Sequence, residues 1–242
     1  MQHDIRELLT QEQQMSEALL LNAVLAVSGG LQDAYTFIVR ERVYANAQTG
    51  NVVMMSTCFM RQEWAAGARY LFPLIAFALG VYTAELIHQI AERRRRKRHW
   101  RQYIVLIEAL IMLAVGFLGQ ELNMLANCLV SFACAMQVQS FRTVHGYAYA
   151  STMCIGNLRA CMDAMCDYNL NRNKKSLTKA KYYARVIFFF AIGAGIGGNI
   201  SPLLRERTVW ICFALLAFCY WLMGWKGRKK SHLKEIFEQY EW

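Results

Sequence analysis

Ala45-Asn46-Ala47-Gln48-Thr49-Gly50-Asn51-Val52-Val53-Met54-Met55-Ser56-Thr57-Cys58-Phe59-Met60 is too apolar for a surface loop and too short for a membrane span. As a helix, its apolar part from Asn51 onward would rise about 15 Å, half of a hydrocarbon core about 30 Å thick. Such a segment predicts a half-helix that enters a bilayer and returns. Around it lie six runs that meet the roughly 17–25 residues a span needs: 18–39, 70–90, 103–119, 122–144, 182–200 and 208–225. A second short stretch, 152–166, is interrupted by Arg159 and Asp163 and reads as another half-helix.

Composition points the same way. The 242 residues are 56% hydrophobic and 18% charged with two prolines, too little polar surface for a soluble domain of this length. The net charge of +10 is concentrated in short basic segments such as Arg93-Arg94-Arg95-Arg96-Lys97-Arg98, which flank the apolar runs. Basic loops beside hydrocarbon-length segments belong against anionic lipid, so no nucleic-acid partner is expected. The eight cysteines lie in or against apolar runs without a C-x-x-C pair, which excludes a disulfide framework and a thiolate metal site. Residues 1–17 are net acidic and no small-residue cleavage site follows the first run, so they read as a cytoplasmic segment, not a cleavable signal.

Lysine and arginine set the orientation. If both short stretches enter and return, with the N-terminus inside, 19 basic residues fall inside and 6 outside. Eight full crossings give 13 against 12, which is no bias. Letting only 45–60 cross, with the N-terminus outside, gives 20 against 5, and this alternative stays open.

An internal repeat favours treating the two stretches alike. At an offset of 106 residues, Gly50-Asn51 falls on Gly156-Asn157 and Asp33 on Gln139. At an offset of 113, Phe77-Ala78-Leu79-Gly80 falls on Phe190-Ala191-Ile192-Gly193. Each half then reads as span, half-helix, span, span: 18–119 and 122–225, with 226–242 a basic cytoplasmic tail and interfacial amphipathic helix. Three spans per half put the second copy in the opposite sense, the inverted repeat common in transporters. The fold class is thus an all-α polytopic membrane protein of six spans, with no soluble globular domain.

The segment Gly29-Gly30-Leu31-Gln32-Asp33-Ala34-Tyr35-Thr36-Phe37, followed by Tyr44-Ala45-Asn46-Ala47-Gln48-Thr49-Gly50-Asn51, resembles the signature of the YoaK family. The resemblance covers nearly the whole stretch from Ala18 to Trp225. It implies a bacterial six-span membrane protein, grouped with small-molecule transporters, and supplies no substrate or catalytic residues. In the second half, where the family usually has Thr-Gly, this chain has Ile155-Gly156.

Asp33 is the sharpest single feature, because a carboxylate inside a span costs several kcal/mol unless it lines a cavity or finds partners. Two readings stay open: a proton or cation site, or a carboxylate bonded to loop backbone, Arg40 or Arg42. Asn46, Gln48, Thr49, Gly50 and Asn51 open the first half-helix; Gly156 and Asn157, with Ser151 and Thr152, open the second. Non-helical backbone at membrane depth lines a cavity or is buried in protein, and helix N-termini present free N–H groups and a positive dipole end. Two such ends meeting at mid-depth would form one substrate-binding site that favours a polar or anionic solute, with Asp33 and Gln139 on adjacent spans and Gly50 and Gly156 allowing backbone approach. The structural alternative is that these side chains only cap broken backbone. Arg159 and Asp163 are spaced to pair on one helix face. Glu85, His88 and Glu108 sit toward span ends, where long side chains snorkel. Gly193-Ala194-Gly195-Ile196-Gly197-Gly198 fits G-x-G-x-x-G but lies mid-span without a preceding strand, so it reads as a helix contact.

No catalytic or metal-ligand spacing occurs, so neither an enzyme nor a cofactor is expected. The reading is an inner-membrane transporter or channel-like protein with both termini cytoplasmic. Its partners would be the lipid bilayer and a small-molecule solute, with homo-oligomerisation allowed. A non-transporting scaffold or sensor is the rival from another class, and an intramembrane enzyme using Asp33 is the weakest.

Overall fold

The computed structural model describes the backbone of residues 2–93, 100–144, 147–148 and 152–239, and side chains within 19–93, 100–142 and 152–225. The described chain is helical apart from a two-residue antiparallel ladder, Thr143–Val144 against Tyr147–Ala148. The α-helices are α1 Gln2–Val39, α2 Gln48–Met60, α3 Trp64–Arg93, α4 Trp100–Val115, α5 Asn123–Ser140, α6 Cys154–Asn171, α7 Lys174–Leu204 and α8 Val209–Gln239. Among the described residues, three stretches are long and apolar enough to cross a membrane: Trp64–Arg93, Gln120–Ser140 and Lys174–Trp225, the last divided by a 3-10 turn at Arg205–Thr208.

Several boundaries differ from the sequence reading. α3 and α7 overrun their apolar runs because helical backbone satisfies itself through polar flanks. α7 begins at Lys174, where the Asn173 side chain accepts the Lys175 N–H at 3.0 Å. The second half-helix runs on to Asn171 and ends at Arg172, whose φ of 53° breaks the helix. Asp167 fastens this corner, accepting from Asn171 Nδ2 at 2.6 Å and from the Ser176 hydroxyl. Those bonds hold its carboxyl below the ordinary range, so the contact is present above that range and fades as the pH falls through the lowered value. α5 stops at Ser140, short of residue 144, where the chain becomes extended. The basic run 94–98, Ser151 and the side chains of the tail lie outside the described residues.

Small residues decide which helices touch. A Cβ added at Gly30 would overlap the Phe190 carbonyl oxygen, and one at Gly193 the Val27 carbonyl, so α1 and α7 meet backbone to backbone. Gly193 lies against Val27 and Gly197 against Leu31 and Ala34; the numbers rise together, so the two helices run parallel. α3 and α5 form a second parallel pair, with Gly80 against the Phe132 carbonyl and Glu85 beside Gln139. α4 and α8 pack antiparallel, Gly116 under Trp210 at one end and Gln102 beside Tyr220 at the other. The buried core formed by Leu25, Leu31, Met112, Val130 and Leu216 joins α1, α4, α5 and α8.

The end of α1 is pinned by Arg40, fully buried and bonded through its guanidinium to five neutral oxygens. The next two residues, Glu41 and Arg42, are left-handed (φ 64° and 61°) and reverse the chain. The strand of backbone then descends beside α1. Val43 packs with Cys58 and Tyr70 near the Arg40 level, while Asn46 reaches Asp33 and Gly29, two or more turns deeper. α2 starts there and climbs back to Cys58. The segment 45–60 therefore turns back on itself, its two ends meeting near Val43 and Cys58. α6 starts beside Gly29, which the Thr152 side chain touches, and runs the other way along α7 to Cys161 and Ala180.

Candidate functional site

The first turns of α2 and α6 leave a cavity of about 750 Å³ between them. Asp33 and Phe37 of α1 form one wall; Asn46, Gln48 and Thr49 bring the polar start of α2. Thr152, Cys154, Ile155 and Gly156 bring the start of α6, and Phe77 of α3 and Phe190 of α7 close the sides. The lining contains residues paired by the sequence offsets: Asn46 and Thr152, Gln48 and Cys154, Thr49 and Ile155, and Phe77 and Phe190. The two helix starts are unlike in chemistry, the first polar and the second largely apolar.

Asp33 lines the cavity and is also bonded to loop backbone, so both readings of it meet in one place. Its Oδ1 accepts the Asn46 N–H at 2.7 Å, with the N–H groups of Ala45 and Ala47 also turned to the carboxyl. The carboxylate thus fixes the descending loop in a nest of amides. Asn46 anchors the same loop from its side chain, donating from Nδ2 to the Gly29 carbonyl at 3.4 Å. The expectation that helix-end dipoles favour an anion is not supported by this environment. Asp33 already faces the N–H groups just before α2, and among the described residues no lysine or arginine lines the cavity.

Four residues expected at the site do not line it. Asn51 is buried under α2, where its Oδ1 accepts the Tyr44 N–H at 3.0 Å and its Nδ2 donates to the Tyr44 carbonyl at 2.7 Å and to Gln48 Oε1 at 2.9 Å. It holds the loop. Asn51→Leu should therefore lower stability by about 2 kcal/mol or more, since two backbone groups lose their partners; thermal unfolding in detergent reads this directly. Asn157 is buried behind the start of α6. Gln139 donates to Glu85 Oε2 at 2.6 Å, away from the cavity, and Glu85 also faces Arg142 at 3.8 Å. Gly50 sits under the Tyr44 ring, where a Cβ would come to 3.2 Å. At Gly156, by contrast, a Cβ would meet nothing within 4 Å, so this glycine leaves room in the cavity instead of permitting backbone contact.

Other features emerge only in three dimensions. Glu108 is not at a span end: it is fully buried, its Oε1 accepts from Gln32 Nε2 at 3.3 Å, and its Oε2 has no partner among the described residues. Gln32 in turn bonds Ser28 at 3.0 Å and accepts from the Cys134 thiol. Through Cys134, which also neighbours Asp33 and Asn46, this polar cluster adjoins the loop that lines the cavity. Glu108→Gln keeps an acceptor for Gln32 and should change stability by no more than about 1 kcal/mol, whereas Glu108→Leu strands the Gln32 amide and should cost about 1–3 kcal/mol. Comparing the two melting temperatures tests the pairing. Arg159 and Asp163 do pair, at 4.0 Å on an exposed face of α6. Among the described residues, no group of three His, Cys, Asp or Glu side chains is placed to hold a metal ion.

A family model described as "Protein of unknown function (DUF1275)" matches residues 21–222. No curated protein and no solved structure matches the chain.

Proposed function

The chain belongs to the DUF1275 family, which is also the family of YoaK, and we propose that it is a membrane transporter or channel-like protein for a small polar solute. The observation that carries this reading is the cavity between the starts of α2 and α6, whose walls come from corresponding positions of the two halves. A site on the seam between repeats, opened by broken helices, is where transporters of inverted design hold their solutes.

The helix pairing supports two inverted halves. Exchanging α1 with α5, α2 with α6, α3 with α7 and α4 with α8 turns the α1–α7 contact into α5–α3, and α1–α8 into α5–α4. The same exchange turns α2–α3 into α6–α7 and leaves α4–α8 as it is. Parallel packing within the α1–α7 and α3–α5 pairs fits six crossings with α2 and α6 as half-helices. Together with the charge split of 19 to 6, it supports a reading with both termini on the cytoplasmic side of the inner membrane. Single cysteines at Gln2 and Gln62 should then react with an impermeant thiol reagent from the inside and the outside respectively; the reverse pattern would overturn the topology.

We read the protein as a non-enzymatic carrier, with Asp33, Asn46, Gln48, Thr49 and Gly156 facing the solute. A thermal-shift screen of small polar compounds on the purified protein tests this. Stabilising compounds should lose their effect on Asp33→Asn, which keeps the size of the side chain but removes its charge and proton. Equal stabilisation of the wild type and of well-folded Asp33→Asn would return Asp33 to a purely structural role.

A further inference from the structure

We propose that Glu108 is a proton-binding site inside the helix bundle, and that its proton exchanges with the cavity by way of Gln32, Cys134 and Asp33. The site needs only the cavity, whatever passes through it; on the transporter reading, it supplies a proton as the coupling ion.

Glu108 of α4 is fully buried, and its Oε2 has no partner among the described residues. Its Oε1 accepts from Gln32 Nε2 at 3.3 Å, and the same nitrogen donates to Ser28 Oγ at 3.0 Å. A glutamine at 108 would accept from Gln32 equally well and bring no ionisable group into the bundle. What glutamic acid adds is a proton that can leave and return. The helices around it bring no compensating cation. α1 contributes Gln32 and Ser28, α5 the Cys134 thiol and α8 the Cys212 and Cys219 thiols. No lysine, arginine or histidine among the described residues acts on the carboxyl. Three thiols and one amide do not make the oxygen shell that a hard metal cation requires. A proton requires no shell and no added space.

From Glu108, polar groups continue to the cavity. Gln32 Oε1 accepts from the Cys134 thiol, and Cys134 in turn neighbours Asp33 and the Asn46 side chain. Asp33, bonded to Asn46, is the end of this chain in the cavity wall. The thiol and the Asp33 carboxyl can each carry a proton, while Gln32 holds the thiol in line with Glu108. When a proton passes from Glu108 to Asp33, one O–H bond breaks and another forms, so the charge on the pair is unchanged. The rest of the surrounding core, with Leu25, Met112 and Leu216, is apolar and offers no second polar way out.

Infrared difference spectra of the purified protein, taken on transfer from water to heavy water, test the site. A protonated carboxyl has its own C=O band, which moves to lower frequency when a deuteron replaces the proton. Wild type should show that shift, and Glu108→Gln, which keeps the bond to Gln32, should lose the band. With Cys128 and Cys166 replaced by serine, Cys154 in the cavity wall is the one thiol left that is not buried. Modifying it with the bulky N-(1-pyrenyl)maleimide should slow the shift by on the order of tenfold. Cys134→Ala, which removes the middle link, should slow it by about the same factor, as losing one hydrogen bond along a transfer path does. Identical bands in wild type and Glu108→Gln would overturn the proton site. A Glu108 band that shifts equally fast with Cys154 free or modified would overturn exchange through the cavity. An undiminished rate in a Cys134→Ala variant that melts like wild type would overturn the route. No solute enters these measurements, so failure of the transport reading leaves the proton site standing, and failure of the proton site leaves the cavity open to a solute.

Discussion

Replacing Arg40 with leucine should leave little folded protein. The guanidinium is completely buried and its donors reach Tyr35 Oη at 2.8 Å, Asn123 Oδ1 at 2.9 Å, and the carbonyls of Leu118 at 2.8 Å, Gly119 at 3.0 Å and Val115 at 3.2 Å. Those carbonyls belong to the end of α4 and the turn after it; Val115 and Gly119 also accept the Leu118 and Leu122 N–H groups, so Arg40 completes a helix end that backbone satisfies only in part. One side chain therefore caps α4, ties it to the end of α1 and meets the start of α5. The Arg40 carbonyl accepts from Asn127 Nδ2 at 2.7 Å, locking the same junction from the backbone. Arg40→Leu abandons several buried acceptors together and should cost on the order of 3–5 kcal/mol. Arg40→Lys keeps the charge but loses the planar fork, and should fall between the two. Monodisperse protein recovered from detergent, followed by thermal unfolding, gives the order wild type, lysine, leucine. A leucine variant as stable as wild type would show that these bonds contribute nothing net.

Alanine at Gly193 should be severely damaging, and alanine two residues away should not. A Cβ at Gly193 would overlap the carbonyl oxygen of Val27, which is backbone and cannot swing aside. α1 and α7 would have to separate along their whole contact, at or above the upper end of the roughly 1–3 kcal/mol range for overpacking. Because Phe190, Ala194 and Gly198 of α7 line the cavity, that separation also spoils the site. At Gly195 the same Cβ meets nothing within 4 Å, and alanine is the better helix former by about 1 kcal/mol. The pair makes one chemical change twice, so any difference in melting temperature reports the helix contact alone. Equal melting temperatures would mean that α1 and α7 do not approach this closely.

Sequence reading succeeds where a residue type conflicts with its surroundings. Asp33 inside an apolar run marks a polar contact, a polar, glycine-containing start to the apolar segment at 45–60 marks broken helix, and both lie at the cavity. The repeat supplies Gly156 and, through Phe77 and Phe190, the correspondence of the side walls, although the phenylalanines carry no chemical signal of their own. Linear position misleads where depth and rotation about a helix matter. Glu108 lies a few residues into its run and reads as a span-end residue, but α4 packs against α8 and α5, so it is buried. Arg40 reads as an outside charge or a partner for Asp33, because a run of sequence does not reveal five carbonyl and side-chain oxygens converging from distant segments. Asn51 has the composition of a ligand-binding residue, but its amide matches the Tyr44 backbone, which lies seven residues back and on the same side. Helix ends run past the apolar runs at α3, α6, α7 and α8, since hydropathy marks where oil would end, not where helical hydrogen bonding does.

Access to Cys154 from each side of the membrane tests the transport reading most directly. The thiol stands in the cavity wall at the start of α6. With Cys128 and Cys166 replaced by serine, an impermeant thiol reagent can be applied to the outer face in right-side-out vesicles and to the cytoplasmic face in inverted ones. A site that serves passage across the bilayer is open to each face in turn, so Cys154 should be modified from both. Modification from only one face, or solely by a membrane-soluble reagent, would contradict transport through this cavity.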